Sequence, residues 1–194
     1  DHNWYVESDA TAGLWESGIP NGTSEQGGLD NLDFLVQTNE DHTENGEICF
    51  ITGNESVDVN STGADDVDGG STTLYSDIYN LFDYNDILLT YWRWYTNNLG
   101  NNPGSDIWSV QVSSNSGINW IDLENTSASL NQWSEKRFVL SEYIDLTSEV
   151  QFRFTASDVF NDGDNGSGGS LVGYTPSGSS VVNFIKAFFH ILSP

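Results

Sequence analysis

The residues best suited to chemistry in this sequence are the carboxylates of "ADDVDGGSTTLYS", residues 64–76. Three aspartates are followed at once by two glycines, which free the backbone to turn its carbonyls inward. Hard Ca²⁺ takes about six to eight oxygen ligands from carboxylates, carbonyls and water. The stretch therefore predicts a calcium site, although a solvated acidic turn would use the same residues. The candidate ligands are Asp65, Asp66, Asp68, Gly70 and, from a neighbouring strand, Glu16.

A second stretch that could hold a cation is "SDVFNDGDNG", residues 157–166. Its oxygen-bearing side chains are interspersed with glycines, but their spacing differs from the D-x-D-x-D-G pattern of an EF-hand. A flexible acidic loop explains the stretch equally well. The candidate ligands in this second stretch are Asp158, Asn161, Asp162 and Asp164.

Residue types that serve catalysis are present, but their spacing matches no catalytic motif. Paired carboxylates can hydrolyse glycosides, yet nothing distinguishes any one pair among 29 acidic residues. His2, His42 and His190 have neither zinc-ligand spacing nor a Ser or Cys motif to serve. Cys49 stands in the β-like stretch "EICFIT", which is typical of a buried, unreactive thiol. The sequence therefore predicts a protein that is not an enzyme.

The charge of the chain narrows the range of its partners. With 29 Asp and Glu against five Lys and Arg, the net charge is −24 at pH 7. Such a surface repels nucleic-acid phosphates and anionic membranes, and it attracts cations. No stretch reaches the roughly 20 apolar residues of a membrane span. We therefore predict neither nucleic-acid binding nor membrane insertion.

The composition also indicates where the protein works. Few Cys and Lys residues, with abundant Asp, Asn, Gly, Ser and Thr, are typical of bacterial or archaeal extracellular proteins. We therefore predict that the protein is secreted or held at the cell surface, where Asn-X-Ser/Thr sequons permit glycosylation. The candidate acceptors are Asn21, Asn54, Asn60, Asn125 and Asn165.

The elements that must position these residues are β-strands. In "DILLTYWRWYT", residues 86–96, apolar and aromatic residues occupy both faces, which predicts a strand in the middle of a sandwich. Residues 107–123 alternate, turn through Asn-Ser-Gly and return, which predicts a hairpin. Such strands, joined by Gly, Asn, Asp and Ser loops, predict an all-β fold, an antiparallel β-sandwich of jelly-roll type. The side chains expected to be buried are Trp92, Trp94, Trp108, Val110, Phe152 and Phe154.

We predict a single domain over residues 1–194. Residues 157–180 are expected to form an inserted acidic, Gly- and Ser-rich loop, since connections of that length are uncommon inside compact domains. Residues 181–192 are expected to form an apolar final strand, a helix being the alternative. Both faces of this strand are apolar, so a central position or another subunit must cover it. The residues assigned to a subunit contact are Val181, Phe184, Phe188 and Phe189.

Several motifs, taken together, resemble those of a known family. They are "DATAGLWESGIPNGT", "C-x-x-TG", "ADDVDGGSTTLYS", "YWRWYTNN" and "VSSNSGINWIDLE", and the match runs from about Trp4 to Ile191. This set is similar to the MAM-like jelly-roll modules found at the ends of secreted bacterial peptidases. The resemblance implies an accessory β-sandwich without catalytic function, and related jelly rolls hold a structural calcium. Where the family's last strand carries acidic ligands, this chain has Asn183, Lys186 and Ala187.

Two functions from different classes fit these observations. The first is a secreted, calcium-stabilised structural subunit that self-assembles into a fibre, tube or surface array through its apolar strand. The alternative is a carbohydrate- or protein-binding accessory module of a secreted hydrolase, in which aromatic rings stack on sugars. The candidate rings are Trp133, Tyr84 and Tyr174. We expect the structural subunit, with itself as its main partner, because nothing catalytic accompanies the domain.

Overall fold

The structure is a computed structural model that describes residues 3–26, 33–54, 67–98, 104–158 and 182–191. Of residues 23–26, 33–35 and 182–191 it describes the backbone alone. Apart from one short 3-10 helix, η1 (Leu140–Glu142), the regular elements of these segments are strands, and no helix in them could cross a membrane. The strands are β1 (Tyr5–Ser8), β2 (Trp15–Gly18), β3 (Thr23–Gln26), β4 (Asp33–Gln37), β5 (Cys49–Thr52), β6 (Gly70–Tyr75), β7 (Ile87–Thr96), β8 (Ile107–Ser113), β9 (Ile121–Thr126), β10 (Leu130–Val139), β11 (Gln151–Asp158) and β12 (Val182–Ile191).

These strands form two five-stranded sheets that pack face to face, with a separate two-stranded hairpin β3-β4. Sheet one has the order β1-β6-β11-β8-β9, and sheet two has the order β10-β7-β12-β5-β2. Every strand pairing is antiparallel. The predicted all-β antiparallel sandwich is therefore confirmed.

The core between the sheets is built from strands in which alternate side chains point inward, as predicted. In β7, every second residue from Ile87 to Tyr91 enters this core, and so does Tyr95. The predicted hairpin is confirmed as β8 and β9, which pair from Trp108–Thr126 to Val112–Ile121. Burial is confirmed for Trp94, Trp108, Val110, Phe152 and Phe154, whereas Trp92 is only half-buried.

The predicted loop of residues 157–180 begins later than expected. Strand β11 continues through Ser157 and Asp158, which pair with Ile107 and Gly70 of the neighbouring strands. The two side chains are 8% and 1% exposed, and the Ser157 hydroxyl donates to the Ile107 carbonyl at 2.9 Å. Polar sequence indicated a loop, but these polar groups are buried at the end of a ladder. The rest of that loop lies outside the described residues, and the single domain stays a prediction.

Strand β12, at the position of the predicted apolar final strand, lies between β7 and β5 in sheet two. Its backbone pairs with β7 from Val182–Thr96 to Ile191–Ile87. A central strand has one face toward the core and one toward the outer side of the sheet, so the core can cover only one of its two apolar faces. Association through Phe184, Phe188 and Phe189 stays a prediction, and Val181 lies outside the described residues.

A buried ion pair joins the two sheets. Arg93 Nη1 of β7 donates to Glu124 Oε1 of β9 at 2.8 Å, and the side chains are 4% and 13% exposed. Glu124 Oε2 accepts from the Tyr91 hydroxyl at 2.6 Å and from Trp108 Nε1 at 2.9 Å. Lys136 Nζ lies 3.4 Å from Glu124 Oε1. One carboxylate therefore satisfies polar groups from both sheets.

We expect the free energy of unfolding to fall as the pH rises above about 10. Burial raises the pKa of Tyr91 well above its ordinary value, with Glu124 adding to the shift, and burial likewise raises the pKa of Tyr95. Above this pH, Tyr91 and Tyr95 lose their protons in the unfolded chain but keep them in the folded protein. This difference favours unfolding by at most about 1.4 kcal/mol per pH unit for each of the two tyrosines. Urea unfolding at a series of alkaline pH values measures this slope, and Tyr91→Phe should make it shallower. A stability that does not change with alkaline pH would contradict the expectation.

Candidate functional site

One end of sheet one brings the two acidic stretches together. Gly70 pairs with Asp158 between β6 and β11, and the Gly69 N–H donates to Asp158 Oδ2 at 3.4 Å. The Asp68 carbonyl accepts from the Thr11 N–H at 2.8 Å and from the Thr11 hydroxyl at 3.0 Å. A Cβ on Gly70 would stand 2.8 Å from backbone atoms of Asp9 and Ala10, so only glycine fits there. Two candidate sites that are separate in the sequence therefore share one end of the sheet.

The other predicted ligands do not join this acidic end among the described residues. Glu16 is exposed on the edge strand β2 of sheet two. No three His, Cys, Asp or Glu side chains in the described segments come close enough together to hold a metal ion. Calcium binding stays a prediction. The candidate ligands outside the described residues are Asp65, Asp66, Asn161, Asp162 and Asp164.

The sequon asparagines differ in their surroundings. Asn21 Nδ2 donates to the Asn54 carbonyl at 2.6 Å, and Asn54 Nδ2 donates to the Ile19 carbonyl at 2.8 Å. A glycan on either nitrogen would compete with these hydrogen bonds. Asn125 is exposed on β9, and Asn21 is exposed as well. Asn60 and Asn165 lie outside the described residues, and glycosylation stays a prediction.

An aromatic cluster lies on the outer face of sheet two; it consists of His42, Trp92, Trp94 and Trp133. The His42 ring stacks on Trp92 with centroids 3.5 Å apart and 15° between the planes. Trp133 of β10 meets His42 and Trp94 edge-on, with centroids 6.0 Å and 6.2 Å away. Of the four, only Trp94 is buried, and the other three rings are half-buried. The cluster therefore keeps partial access to solvent.

Strand β4 and the segment that follows it hold the aromatic cluster in place. Trp94 Nε1 donates to the Val36 carbonyl at 2.8 Å, and Trp133 Nε1 donates to the Glu40 carbonyl at 3.3 Å. Val36 is fully buried and packs with Cys49 and Ile51 in a small second core. The predicted buried thiol is thus confirmed, at 3% exposure. Indole groups fixed by backbone carbonyls give the cluster a defined geometry.

A cavity of about 480 Å³ opens beside the aromatic cluster. Ile19 and residues 39–47 line it, so Glu40 and His42 belong both to its wall and to the contacts of the cluster. The wall contains no Lys or Arg among its described residues, and its acidic members are Glu40, Asp41, Glu44 and Glu47. Carboxylates accept hydrogen bonds but donate none when ionised. The site therefore suits a ligand with hydroxyl donors and a flat apolar face.

The sequence indicates part of this site. It predicts Trp133 as a stacking ring but assigns no role to His42, because the contact of His42 with Trp92 joins residues 50 positions apart and no local pattern marks it. Tyr84 is 39% exposed, and Tyr174 lies outside the described residues. Of the remaining histidines, His2 lies outside the described residues and His190 has only its backbone described.

The fold has counterparts among solved structures. The chain resembles the carbohydrate-binding module TmCBM61, solved in complex with β-1,4-galactotriose, with a TM-score of 0.51 and 12% identity over 98% of this chain and 89% of that one. The K2 cleaved adhesin domain of Lys-gingipain, a Porphyromonas gingivalis protein, has a TM-score of 0.47 and 12% identity over 95% of this chain and 89% of its own. The enzymatically active domain of bacteriophage CBA120 tailspike protein 4 has a TM-score of 0.48 and 10% identity over 98% of this chain and 19% of its own.

No protein-family profile matches the chain, and no curated protein matches it either. The likeness to TmCBM61 is a likeness of fold, since only 12% of the aligned residues are identical. The chain therefore shares the jelly-roll β-sandwich fold of that module.

Proposed function

We propose that this protein is a non-catalytic, secreted accessory module that binds a carbohydrate at the aromatic cluster and the adjoining cavity of sheet two. The observation that carries the proposal is the cavity of about 480 Å³ whose wall includes His42, stacked on Trp92 beside Trp133. The fold shared with TmCBM61, which was solved with a bound galactotriose, supports binding rather than self-assembly.

A sugar is complementary to the two kinds of group at this site, the aromatic rings and the carboxylates. The C–H face of a pyranose ring packs on an aromatic ring, while its hydroxyls donate to carboxylates at the rim. Ligand sites commonly combine such an apolar floor with a few polar groups that fix orientation. A net charge of −24 disfavours polyanionic chains, so the ligand is a neutral glycan.

We expect Trp133→Ala to weaken binding to a neutral glycan by about 30-fold, the effect of losing one aromatic hot spot worth about 2 kcal/mol. Retention in native gels that contain β-1,4-galactan, xylan or mixed-linkage glucan measures the affinity. Phe82→Ala is the matched control, because Phe82 is exposed and belongs to neither the aromatic cluster nor the cavity wall. Equal retention of Trp133→Ala and wild type on every glycan that binds would contradict the proposed site.

The acidic end of sheet one is the second element of the proposal, as a structural calcium site. Asp158 and the Asp68–Gly70 turn meet there, and the Asp158 side chain is 1% exposed. The backbone carbonyls and carboxylates of this end are ligands of the kind that Ca²⁺ prefers. The role is stabilisation of the fold, so it is independent of glycan binding.

We expect calcium to raise the melting midpoint, and a chelator to lower it. Extracellular sites bind with Kd values of about 0.1–1 mM, and a hundredfold excess of ligand would add about 2.7 kcal/mol. Asp158→Asn should reduce the calcium-dependent shift, whereas Asp122→Asn, an exposed aspartate on β9, should leave it unchanged. A midpoint that is the same with calcium and with chelator would refute the site.

A further inference from the structure

The outer face of sheet one carries a row of side chains that crosses all five strands. Tyr5 pairs with Tyr75, Tyr75 with Arg153, Arg153 with Gln111, and Gln111 with Asp122. We call these five residues the aromatic row. They alternate along their strands with core residues such as Leu74, Phe154 and Val110, so they lie on the solvent side. Strands stand about 4.8 Å apart, which makes the row about 19 Å long.

The aromatic row is fixed by contacts among its own members and Trp120. The Tyr5 and Tyr75 rings stack with centroids 4.8 Å apart, and Trp120 meets Tyr75 edge-on at 6.0 Å. The Arg153 guanidinium lies over Trp120, 4.4 Å from the ring centroid, and Arg153 Nε donates to Gln111 Oε1 at 2.6 Å. Gln111 Nε2 in turn donates to Asp122 Oδ1 at 2.6 Å. A ligand would therefore meet side chains that are already ordered.

A second row beside it is rich in hydroxyl and amide groups. Its members lie two residues from the aromatic row on four strands and three residues from it on β9, where the register shifts. We call it the hydroxyl row: Glu7, Thr73, Thr155, Ser109 and Asn125. The hydroxyls of Thr73 and Thr155 lie 3.0 Å apart, and every member of the row is at least partly exposed. Hydroxyl and amide groups both donate and accept hydrogen bonds, as sugar hydroxyls do.

A cavity of about 290 Å³ lies where the two rows meet β1. Its lining includes Tyr75, Thr73, Glu7 and Asp9. Asp9 Oδ1 accepts from the Ser71 N–H at 2.7 Å and from the Ser71 hydroxyl at 3.0 Å, and these bonds lower the pKa of Asp9. The carboxylate is exposed and thus presents an acceptor at the end of the face.

We infer that this face is a second carbohydrate-binding surface, which takes an extended neutral polysaccharide along the aromatic row. The Tyr5 ring, which is 46% exposed, and the half-buried rings of Tyr75 and Trp120 supply stacking, and the hydroxyl row supplies hydrogen bonds in both directions. The charges of this face exclude a polyanion, because Arg153 is the one cation of the two rows, against the carboxylates of Glu7 and Asp122 in the rows and of Asp9 in the adjoining cavity. This surface lies on the opposite side of the sandwich from the aromatic cluster, and it does not depend on the function proposed for that cluster.

The test uses single and combined variants of the full chain. The probes are soluble β-1,4-galactan, xylan, mixed-linkage glucan and, as a polyanion, polygalacturonate, each in native gels. Tyr5→Ala and Trp120→Ala remove rings of this face, Trp133→Ala weakens the other site, and Phe82→Ala, at an exposed ring outside both sites, is the control. Thermal melting of each variant establishes that it is folded. We expect Trp133→Ala to keep part of its retention on a neutral polysaccharide, and Tyr5→Ala or Trp120→Ala in that background to weaken it by at least about tenfold.

The outcomes separate the two surfaces. If Tyr5→Ala and Trp120→Ala abolish binding while Trp133→Ala does not, this inference holds and the sheet two site fails. If Trp133→Ala alone abolishes all retention, the inference is overturned and the sheet two site stands. Tighter binding of polygalacturonate than of any neutral chain, or no binding of any probe by the wild type, would also overturn it.

Discussion

Glu124→Ala is expected to lower the free energy of unfolding by about 3–5 kcal/mol, the range measured when one partner of a buried ion pair is removed. The carboxylate accepts from Arg93, Tyr91 and Trp108, and its loss leaves the Arg93 charge, with a side chain 4% exposed, without its counter-ion. Removing one partner of a buried ion pair is strongly destabilising, because the charge that remains is buried without compensation. Urea unfolding of wild type and variant measures the difference.

A matched control separates burial from the mere loss of a carboxylate. Glu135 pairs with Arg137 on the surface at 3.5 Å, with side chains 37% and 60% exposed, so Glu135→Ala should cost less than about 1 kcal/mol. Replacing both partners of the buried pair by apolar residues, as in Arg93→Met with Glu124→Leu, should be milder than Glu124→Ala alone. A Glu124→Ala variant as stable as Glu135→Ala would show that the network contributes nothing to stability.

Phe189→Asp is expected to abolish cooperative folding. Phe189 pairs with Leu89, a fully buried residue of the core between the sheets, in the middle strand pair of sheet two. An ionised carboxylate at such a position costs several kcal/mol, which is comparable with the whole stability of about 5–15 kcal/mol. Far-ultraviolet circular dichroism and urea unfolding measure the outcome.

Phe82→Asp is the control for this substitution, because the Phe82 side chain is 70% exposed and should tolerate a charge. Phe188→Asp, at the position paired with Thr90 on the outer face, tests self-association by light scattering. A Phe189→Asp protein that unfolds cooperatively at the wild-type midpoint would contradict the central placement of β12.

The sequence predicted the strands better than it predicted their partners. Apolar and aromatic residues on both faces of "YWRWY" predicted a strand inside a sandwich, but not that Arg93 would lie on the core side with Tyr91 beside a buried counter-ion. The partner Glu124 was not predictable, because in "IDLEN" it follows Leu123, and strict alternation would turn one of the two to solvent. A shift of register opposite Val110 and Gln111 leaves Leu123 without a ladder partner and brings both side chains inward. One extra residue in a strand turns every later side chain to the opposite face of the sheet, and composition does not reveal such a residue.

The sites were predicted in the same partial way. The chemistry of Asp68, Gly70 and Asp158 was evident from residue type, but their meeting depends on the pairing of β6 with β11, which joins residues 89 positions apart at Gly69 and Asp158. The rows across sheet one were likewise invisible, because each strand supplies only one residue to each row. Local patterns fix which side of a strand a residue occupies, while register fixes its neighbours.

The measurement that tests the central claim most directly is a titration of the ¹⁵N-labelled protein with the neutral oligosaccharide that it binds best, followed at the indole N–H signals of its seven tryptophans. Glycan binding at the aromatic cluster predicts that the signals of Trp133 and Trp92 shift with ligand concentration. The Trp15 and Trp108 signals should stay in place, because these rings are 4% and 0% exposed in the core. Titrations that leave Trp133 and Trp92 unmoved while the glycan binds, or that shift Trp120 alone, would contradict the account of the sheet two site.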